Sequence, residues 1–225
     1  MTTRNTHMKR IAHILSLFTF VFALGSYAQS ADFSVKAEGT QTFRFADKAG
    51  RNQVLFYSKA PIEDIVGSAS GLTGSITLDP KNVASTITGE FTIDVKTMTT
   101  GISKRDEHMQ GEMWLNAATY PTIQFKLKQL KDVKKVNNTK IEANALGEMT
   151  LHGVTLPMTV PVTLIYMEES EKTKARLPGD LLQLRTKFSV KLADFGIKGF
   201  GDLIGSKIAE AIDIEMGIVG TNAVK

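Results

Sequence analysis

The chain has 225 residues, with 27 lysines and arginines, 23 acidic residues and no cysteine. The absence of cysteine excludes disulfides, a thiol nucleophile, a thiolate metal site and an acylated cysteine anchor. The three basic residues of positions 1–28 are accompanied by no acidic one, so the rest of the chain has 24 basic against 23 acidic residues. That near-neutral remainder gives no electrostatic basis for a nucleic acid partner.

The beginning of the chain predicts an export signal. Basic residues precede the apolar run Ile11–Leu24, and Ser26-Tyr27-Ala28 offers small residues at the −3 and −1 positions of a cleavage site. The run is shorter than the roughly 20 apolar residues that cross a bilayer. We therefore predict a signal peptide over residues 1–28, cleaved between Ala28 and Gln29, and one exported, periplasmic domain over residues 29–225.

Beyond residue 40 the dominant pattern is an alternation of apolar and polar residues, which is typical of half-buried β-strands. The alternation is clear at 91–95, 123–127, 160–164, 188–192 and 212–216, and weaker at 43–45, 54–56, 76–78 and 141–151. Gly, Pro, Asn and Asp clusters separate these segments. The sequence predicts eight or nine strands.

Two segments break the alternation and predict short helices. Residues 103–115 are rich in helix formers, and Ser103 with Asp106 has the spacing of a capping box. Residues 202–211 predict a second helical piece. Sequential amphipathic strands with so few helices bury their apolar face as a sandwich or as a closed barrel, and the periodicity does not choose between them.

Several segments together resemble the YceI-like polyisoprenoid-binding family. The residues that carry the resemblance are Gly67–Asp79, Thr100–Met109, Trp114–Phe125, Gly147–Pro157 and Phe188–Ile197. Their order and spacing over about 43–220 identify the chain as a member. The resemblance implies an all-β fold, an antiparallel lipocalin-like eight-stranded barrel with one or two short helices, which encloses a long isoprenoid or comparable lipid.

One stretch departs from the family pattern. Many members carry a His-Ser pair and a second histidine near the first strands, where this chain has Asn52–Pro61. If those positions border the mouth of the barrel, the departure changes the head group of the ligand.

The inward faces of the strands supply the candidate site. A hollow barrel would be lined by ten predicted lipid-binding residues, namely Phe91, Ile93, Phe125, Leu127, Met149, Val162, Leu164, Phe188, Val190 and Ile214. An isoprenoid tail gains about 25 cal/mol per Å² of apolar surface when it leaves water for such a channel. The same side chains could equally fill a solid core, because alternation does not distinguish a lined cavity from a packed one.

No catalytic or metal site is predicted. Once the signal peptide is removed, His108 and His152 are the remaining histidines, and two distant histidines without cysteine hold a metal only if the fold adds a carboxylate. Arg105 lies on a charged helix face. The single tryptophan, Trp114, is a candidate core plug or a residue of the barrel mouth.

The predicted function is that of a periplasmic protein that sequesters or carries a polyisoprenoid, an isoprenoid quinone or a similar lipid, without a cofactor and without catalysis. The alternatives are an outer-membrane β-barrel and, with less support, an enzyme acting on a bound lipid. Homodimerisation and the identity of a delivery partner stay open at this point.

Overall fold

The alternating segments form the strands of one antiparallel sheet in the computed structural model. The structure describes Met1, residues 32–47 and residues 49–223, so the predicted signal peptide and its cleavage site lie outside it. In chain order the elements are β1 (Gln41–Arg44), β2 (Val54–Lys59), β3 (Asp64–Ala69), β4 (Leu72–Leu78), α1 (Val83–Thr86), β5 (Thr88–Asp94), β6 (Met98–Thr99), α2 (Ser103–Gln110), β7 (Thr122–Lys135), β8 (Lys140–Leu151), β9 (Val154–Met167), α3 (Glu171–Lys174), β10 (Leu181–Lys191) and β11 (Ala211–Thr221).

The strand segments close into a barrel of eight strand positions. Three of these positions are each occupied by two consecutive segments, namely β1 with β2, β3 with β4, and β5 with β6. β11 pairs with β2 over Asp213–Met216 and with β1 at Thr221. On the other side, β4 lies between β1 and β5, while β3 lies between β2 and β6. From the β5/β6 position onward, β7, β8, β9, β10 and β11 pair in sequence order. The predicted antiparallel eight-stranded barrel is confirmed.

Asn52 fills the gap between β1 and β2. Its side chain is 2% exposed, and its amide donates to the carbonyls of Phe45 and Val219, both at 2.9 Å. Its oxygen accepts from the Val219 N–H at 3.0 Å. The amide therefore replaces the ladder hydrogen bonds that the interrupted strand would otherwise give to β11.

The up-and-down topology gives the barrel two different ends. We call the end formed by residues 60–63, 100–121, 152–153 and 192–210 the open end. The closed end carries the connections at 79–87, 136–139 and 168–180, together with the first residues that the structure describes.

An N-terminal strap, residues 32–37, covers the closed end. Phe33 is 1% exposed, and its N–H donates to the Pro80 carbonyl at 2.9 Å. The next N–H, that of Ser34, donates to the Asn138 carbonyl at 2.7 Å. The Phe33 ring lies 5.5 Å from the ring of Tyr166, so the strap places an aromatic plug over the end of the strands.

The helix predictions were partly wrong. α2 begins at Ser103 as expected but ends at Gln110, five residues before the predicted Leu115. No capping box forms, because Ile102 is the N-cap residue and the carboxylate of Asp106 instead accepts from Thr100. Residues 202–210 form turns with an isolated bridge between Ile204 and Ile208, so the second predicted helix is absent from this described segment.

Two helices that were not predicted, α1 and α3, occupy closed-end connections and have four residues each. Within the part of the chain that the structure describes, no helix is both long and apolar enough to cross a membrane.

Candidate functional site

A hollow lies inside the barrel toward the open end. It consists of an outer chamber of about 420 Å³ and, deeper in the barrel, an inner pocket of about 90 Å³. The two share six lining residues, namely Val54, Ile93, Ile123, Met149, Phe188 and Ile214. The outer chamber falls within the range of about 300–1,000 Å³ that is usual for small-molecule sites.

Small inward residues help to keep the barrel hollow. On β8 the buried face includes Ala143 and Ala145 at alternate positions. An eight-stranded barrel has an interior just wide enough for large side chains to fill, so small residues on one wall leave space.

Inward aromatic rings on β2, β5 and β7 each lie against a glycine of a neighbouring strand. The pairs are Phe56 with Gly67, Phe91 with Gly74 and Phe125 with Gly147. A Cβ atom added to Gly67 would lie 2.1 Å from the Phe56 ring, so the ring occupies the space of the missing side chain. These glycines let large rings cover the barrel wall.

All ten residues predicted to bind lipid line this hollow. Ile93, Met149, Phe188, Val190 and Ile214 line the outer chamber, and Phe91, Phe125, Leu127, Val162 and Leu164 line only the inner pocket. Their role in lipid binding stays a prediction.

The outer chamber also has walls outside the ten residues that were predicted to bind lipid. They come from β2, β3, β6, α2 with the segment after it, and the loop before β11, and include Phe56, Ile65, Met98, Met109, Trp114, Leu115, Leu203 and Ile208. Loop residues have no periodicity, and the helix is too polar to show an apolar face. Trp114 lines the chamber beside Gly199, where an added Cβ would lie 2.8 Å from the indole.

The charged and titratable side chains of the outer chamber are Glu63, Arg105, His108 and Lys207. Arg105 of α2 donates to Glu63 of the β2–β3 hairpin at 2.7 Å, and their side chains are 27% and 40% exposed. This ion pair joins two of the open-end connections.

α2 is held over the mouth by Asp106. Its carboxylate accepts from the Thr100 N–H and hydroxyl, each at 2.6 Å, and from the Thr99 hydroxyl at 2.5 Å. Burial opposes ionisation of Asp106, but the hydrogen bonds from Thr100 and Thr99 outweigh it and lower the pKa of the carboxyl. Gln110 adds a bond of 3.0 Å to the Met98 carbonyl.

Large apolar side chains are exposed around the mouth. Ile62, Ile102, Met113 and Phe200, which we call the apolar rim, are 66%, 50%, 54% and 68% exposed. They belong to three different open-end connections, which approach one another through the Arg105–Glu63 pair and the contact of Gly199 with Trp114.

The two histidines play separate parts. His108 lines the outer chamber, whereas His152 lies in the β8–β9 turn with a φ of 51° and its Nδ1 3.1 Å from the Phe195 carbonyl. Across residues 32–47 and 49–223, no three His, Asp or Glu side chains are grouped so that they could hold a metal ion.

The structure defines a closed antiparallel barrel with an apolar chamber that opens at one end. The chain belongs to the YceI-like domain family, whose model matches residues 29–219. It is 30% identical over 192 residues to Protein YceI of Escherichia coli O157:H7, and the matched region covers 85% of this chain and 88% of the relative. The predicted family is confirmed.

Solved structures share the fold. BcnA of Burkholderia cenocepacia matches 78% of this chain and 100% of its own, with a TM-score of 0.62 and 21% identity. A polyisoprenoid binding domain from Saccharophagus degradans matches 82% of this chain and 100% of its own, with a TM-score of 0.58 and 14% identity.

Proposed function

We propose that this protein binds a polyisoprenoid, an isoprenoid quinone or a similar long-chain lipid in the outer chamber and carries or sequesters it in the periplasm. The observation that carries the proposal is the apolar chamber of about 420 Å³ that opens at one end of the barrel. The binding named for the Saccharophagus degradans domain, which shares this fold, supports the same ligand class.

The energetics favour an apolar chain. A lipid tail in the chamber removes its surface from water at about 25 cal/mol per Å² and contacts rigid walls, whereas water there finds few polar partners. The apolar rim supports entry, because Ile62 and Phe200 offer a tail apolar surface before it reaches the chamber.

Protein purified from its native host, extracted with organic solvent and examined by mass spectrometry tests the proposal. We expect a lipid in roughly stoichiometric amount. Val190→Glu, which places a carboxylate in the chamber wall, should lower the lipid content at least about tenfold. Lys191→Glu, at the next and exposed position, is the matched control. Protein that never contains lipid, under any purification, would refute the proposal.

The outer-membrane alternative is opposed by the outward face of β7. Lys126, Lys128, Lys131 and Lys134 are exposed there, whereas Leu127 and Leu130 point inward and are buried. A barrel in a bilayer needs the opposite arrangement, with an apolar band on the outside. Recovery of the protein in the membrane fraction after washing with salt would reverse this conclusion.

We propose binding without catalysis. Among the residues that the structure describes, the carboxylate that lines the outer chamber is that of Glu63, and it already accepts a hydrogen bond from Arg105 at 2.7 Å. Incubation of the protein with its extracted lipid, followed by mass spectrometry, should return the lipid unchanged.

Export follows from the sequence pattern of residues 1–28. Amino-terminal sequencing of the protein from a periplasmic extract should begin at Gln29 or within a residue or two of it.

A further inference from the structure

Three basic side chains of the outer chamber, those of Arg105, His108 and Lys207, belong to open-end segments of the chain. Arg105 and His108 are three residues apart on α2, a spacing that places them on the same side of the helix. Lys207 belongs to the loop before β11, and the Ile62 N–H donates to the Ser206 carbonyl beside it at 3.1 Å. Three basic side chains and one carboxylate, that of Glu63, therefore line the outer chamber, and the other polar residues in its described wall are Ser58 and Thr100.

Arg105 has hydrogen-bonding capacity left. Its bond to Glu63 uses one of five guanidinium N–H donors, and Arg105 makes no other side-chain hydrogen bond to residues 32–47 or 49–223. The side chain is 27% exposed, so it lies between the chamber and the solvent. The pair with Glu63 fixes the guanidinium in place, which prepares its remaining donors for a ligand.

We infer that the mouth of the chamber binds the oxyanion of an acidic amphiphile, with Arg105 as its main ligand and Lys207 and His108 as supporting groups. The inference rests on the proposed lipid-binding function and names the head group of that ligand. An apolar chain would occupy the outer chamber, and its terminal carboxylate or phosphate would accept hydrogen bonds from Arg105.

The physical reason is the nature of the donors. Guanidinium groups bind carboxylates and phosphates through two parallel, charge-assisted hydrogen bonds, which are about twice as strong as neutral ones. Arg105 and Lys207 give the lining of the outer chamber two positive charges against one negative charge from Glu63. An uncharged alcohol would gain neither the charge nor the paired geometry.

Three ligands with one chain test the inference: farnesol, farnesoic acid and farnesyl monophosphate, titrated into the delipidated protein by calorimetry. We expect one or both acids to bind at least about tenfold more tightly than farnesol. Whichever acid binds more tightly distinguishes a carboxylate from a phosphate head group. The preference should shrink as salt rises from 0.01 to 1 M, where the screening length falls from about 30 to about 3 Å.

Arg105→Gln should abolish the preference for the acids over farnesol. Lys104→Gln is the matched control, because Lys104 lies on the same helix, pairs with Glu107 at 2.8 Å and is absent from the chamber wall. Arg105→Lys, which keeps the charge beside Glu63 and loses the planar fork, provides a second variant should the first one fold poorly.

Equal affinity of the wild type for farnesol and both acids would overturn the head-group assignment and leave the lipid-binding proposal in place. A preference that survives in folded Arg105→Gln would overturn the assignment to Arg105. Failure of all three ligands to bind, farnesol included, would instead count against the proposed function itself.

Discussion

The two ends of the barrel use the same eight strands with the same alternation, yet one end is solid and the other is hollow. At the closed end, Phe33, Phe43 and Tyr166 are each at most 1% exposed, with their rings packed edge to face or tilted at 5.5 Å. Toward the open end, Phe56 and Phe125 instead lie against glycines of the adjacent strands. Whether the interior of this barrel is filled therefore depends on where its aromatic rings lie and on the segments outside the strands.

The largest expected effect separates a packed ring from one that borders space. Phe43→Ala should reduce the free energy of unfolding by about 3–5 kcal/mol, because Phe43 is fully buried at the closed end. Phe188→Ala should reduce it by only about 1–2 kcal/mol, because Phe188 already faces both the chamber and the inner pocket. Urea unfolding of both variants measures the difference, and equal losses would refute the hollow.

The polar joint between β1 and β2 gives the next effect. Asn52→Ala removes three buried hydrogen bonds and leaves two carbonyls and one N–H without partners, so we expect a loss of about 2–4 kcal/mol. Asn144→Ala removes an exposed bond to Asp132 and should change stability by less than about 0.5 kcal/mol. Comparable losses in thermal unfolding would contradict the structural role of Asn52.

A side chain added at one glycine of the open end should fill part of the hollow there, as aromatic rings fill the closed end. Gly67→Ala forces the Phe56 ring away from the wall, which should cost about 1–3 kcal/mol and reduce the bound lipid. Gly217→Ala is the control, because an added Cβ there meets no atom within 4 Å. If lipid content by mass spectrometry is the same in both variants, the rings do not limit the chamber.

The smallest expected effects are on the pH dependence of the free energy of unfolding. This dependence should have opposite signs for Asp106 at the open end and Tyr166 at the closed end. The lowered pKa of Asp106 stabilises the fold above about pH 4, and this contribution is lost as the pH falls through the folded value. Burial, and then the hydrogen bond to Asp180, raise the pKa of the Tyr166 hydroxyl, so its contribution is complete below about pH 10 and is lost at higher pH.

Urea midpoints at pH 3, 7 and 11 check both signs. Asp106→Asn should weaken the acid-side loss, and Tyr166→Phe the alkaline-side loss. If Asp106→Asn changed the alkaline-side loss, or Tyr166→Phe the acid-side loss, the assignment of that residue would be contradicted.

The alternation along the whole domain was sufficient for the antiparallel strands, and it placed residues such as Met149 and Ile214 on the inward face. The choice of a barrel over a sandwich came from the family resemblance. The alternation could not reveal the hollow, because the hollow depends on where the Phe33 and Phe56 rings lie. Phe33 packs against Tyr166 of β9, and Phe56 lies over Gly67 of β3. Nor could the alternation pair Arg105 with Glu63, which lie 42 positions apart in connections without periodicity. The absent capping box has a similar cause, since Asp106 accepts a hydrogen bond from Thr100, which lies outside the helix.

The N-terminal strap has a practical consequence. Asp32 and Asn222 both lie at the closed end, where the Val83 N–H donates to Asp32 and the Asn222 N–H to the Asp180 carbonyl. A tag attached at either of these residues is joined to the end of the barrel opposite the entrance. Protein attached to a support through Asp32 or Asn222 would therefore present the mouth of its chamber to the surrounding solution, ready for exchange with vesicles or free amphiphiles.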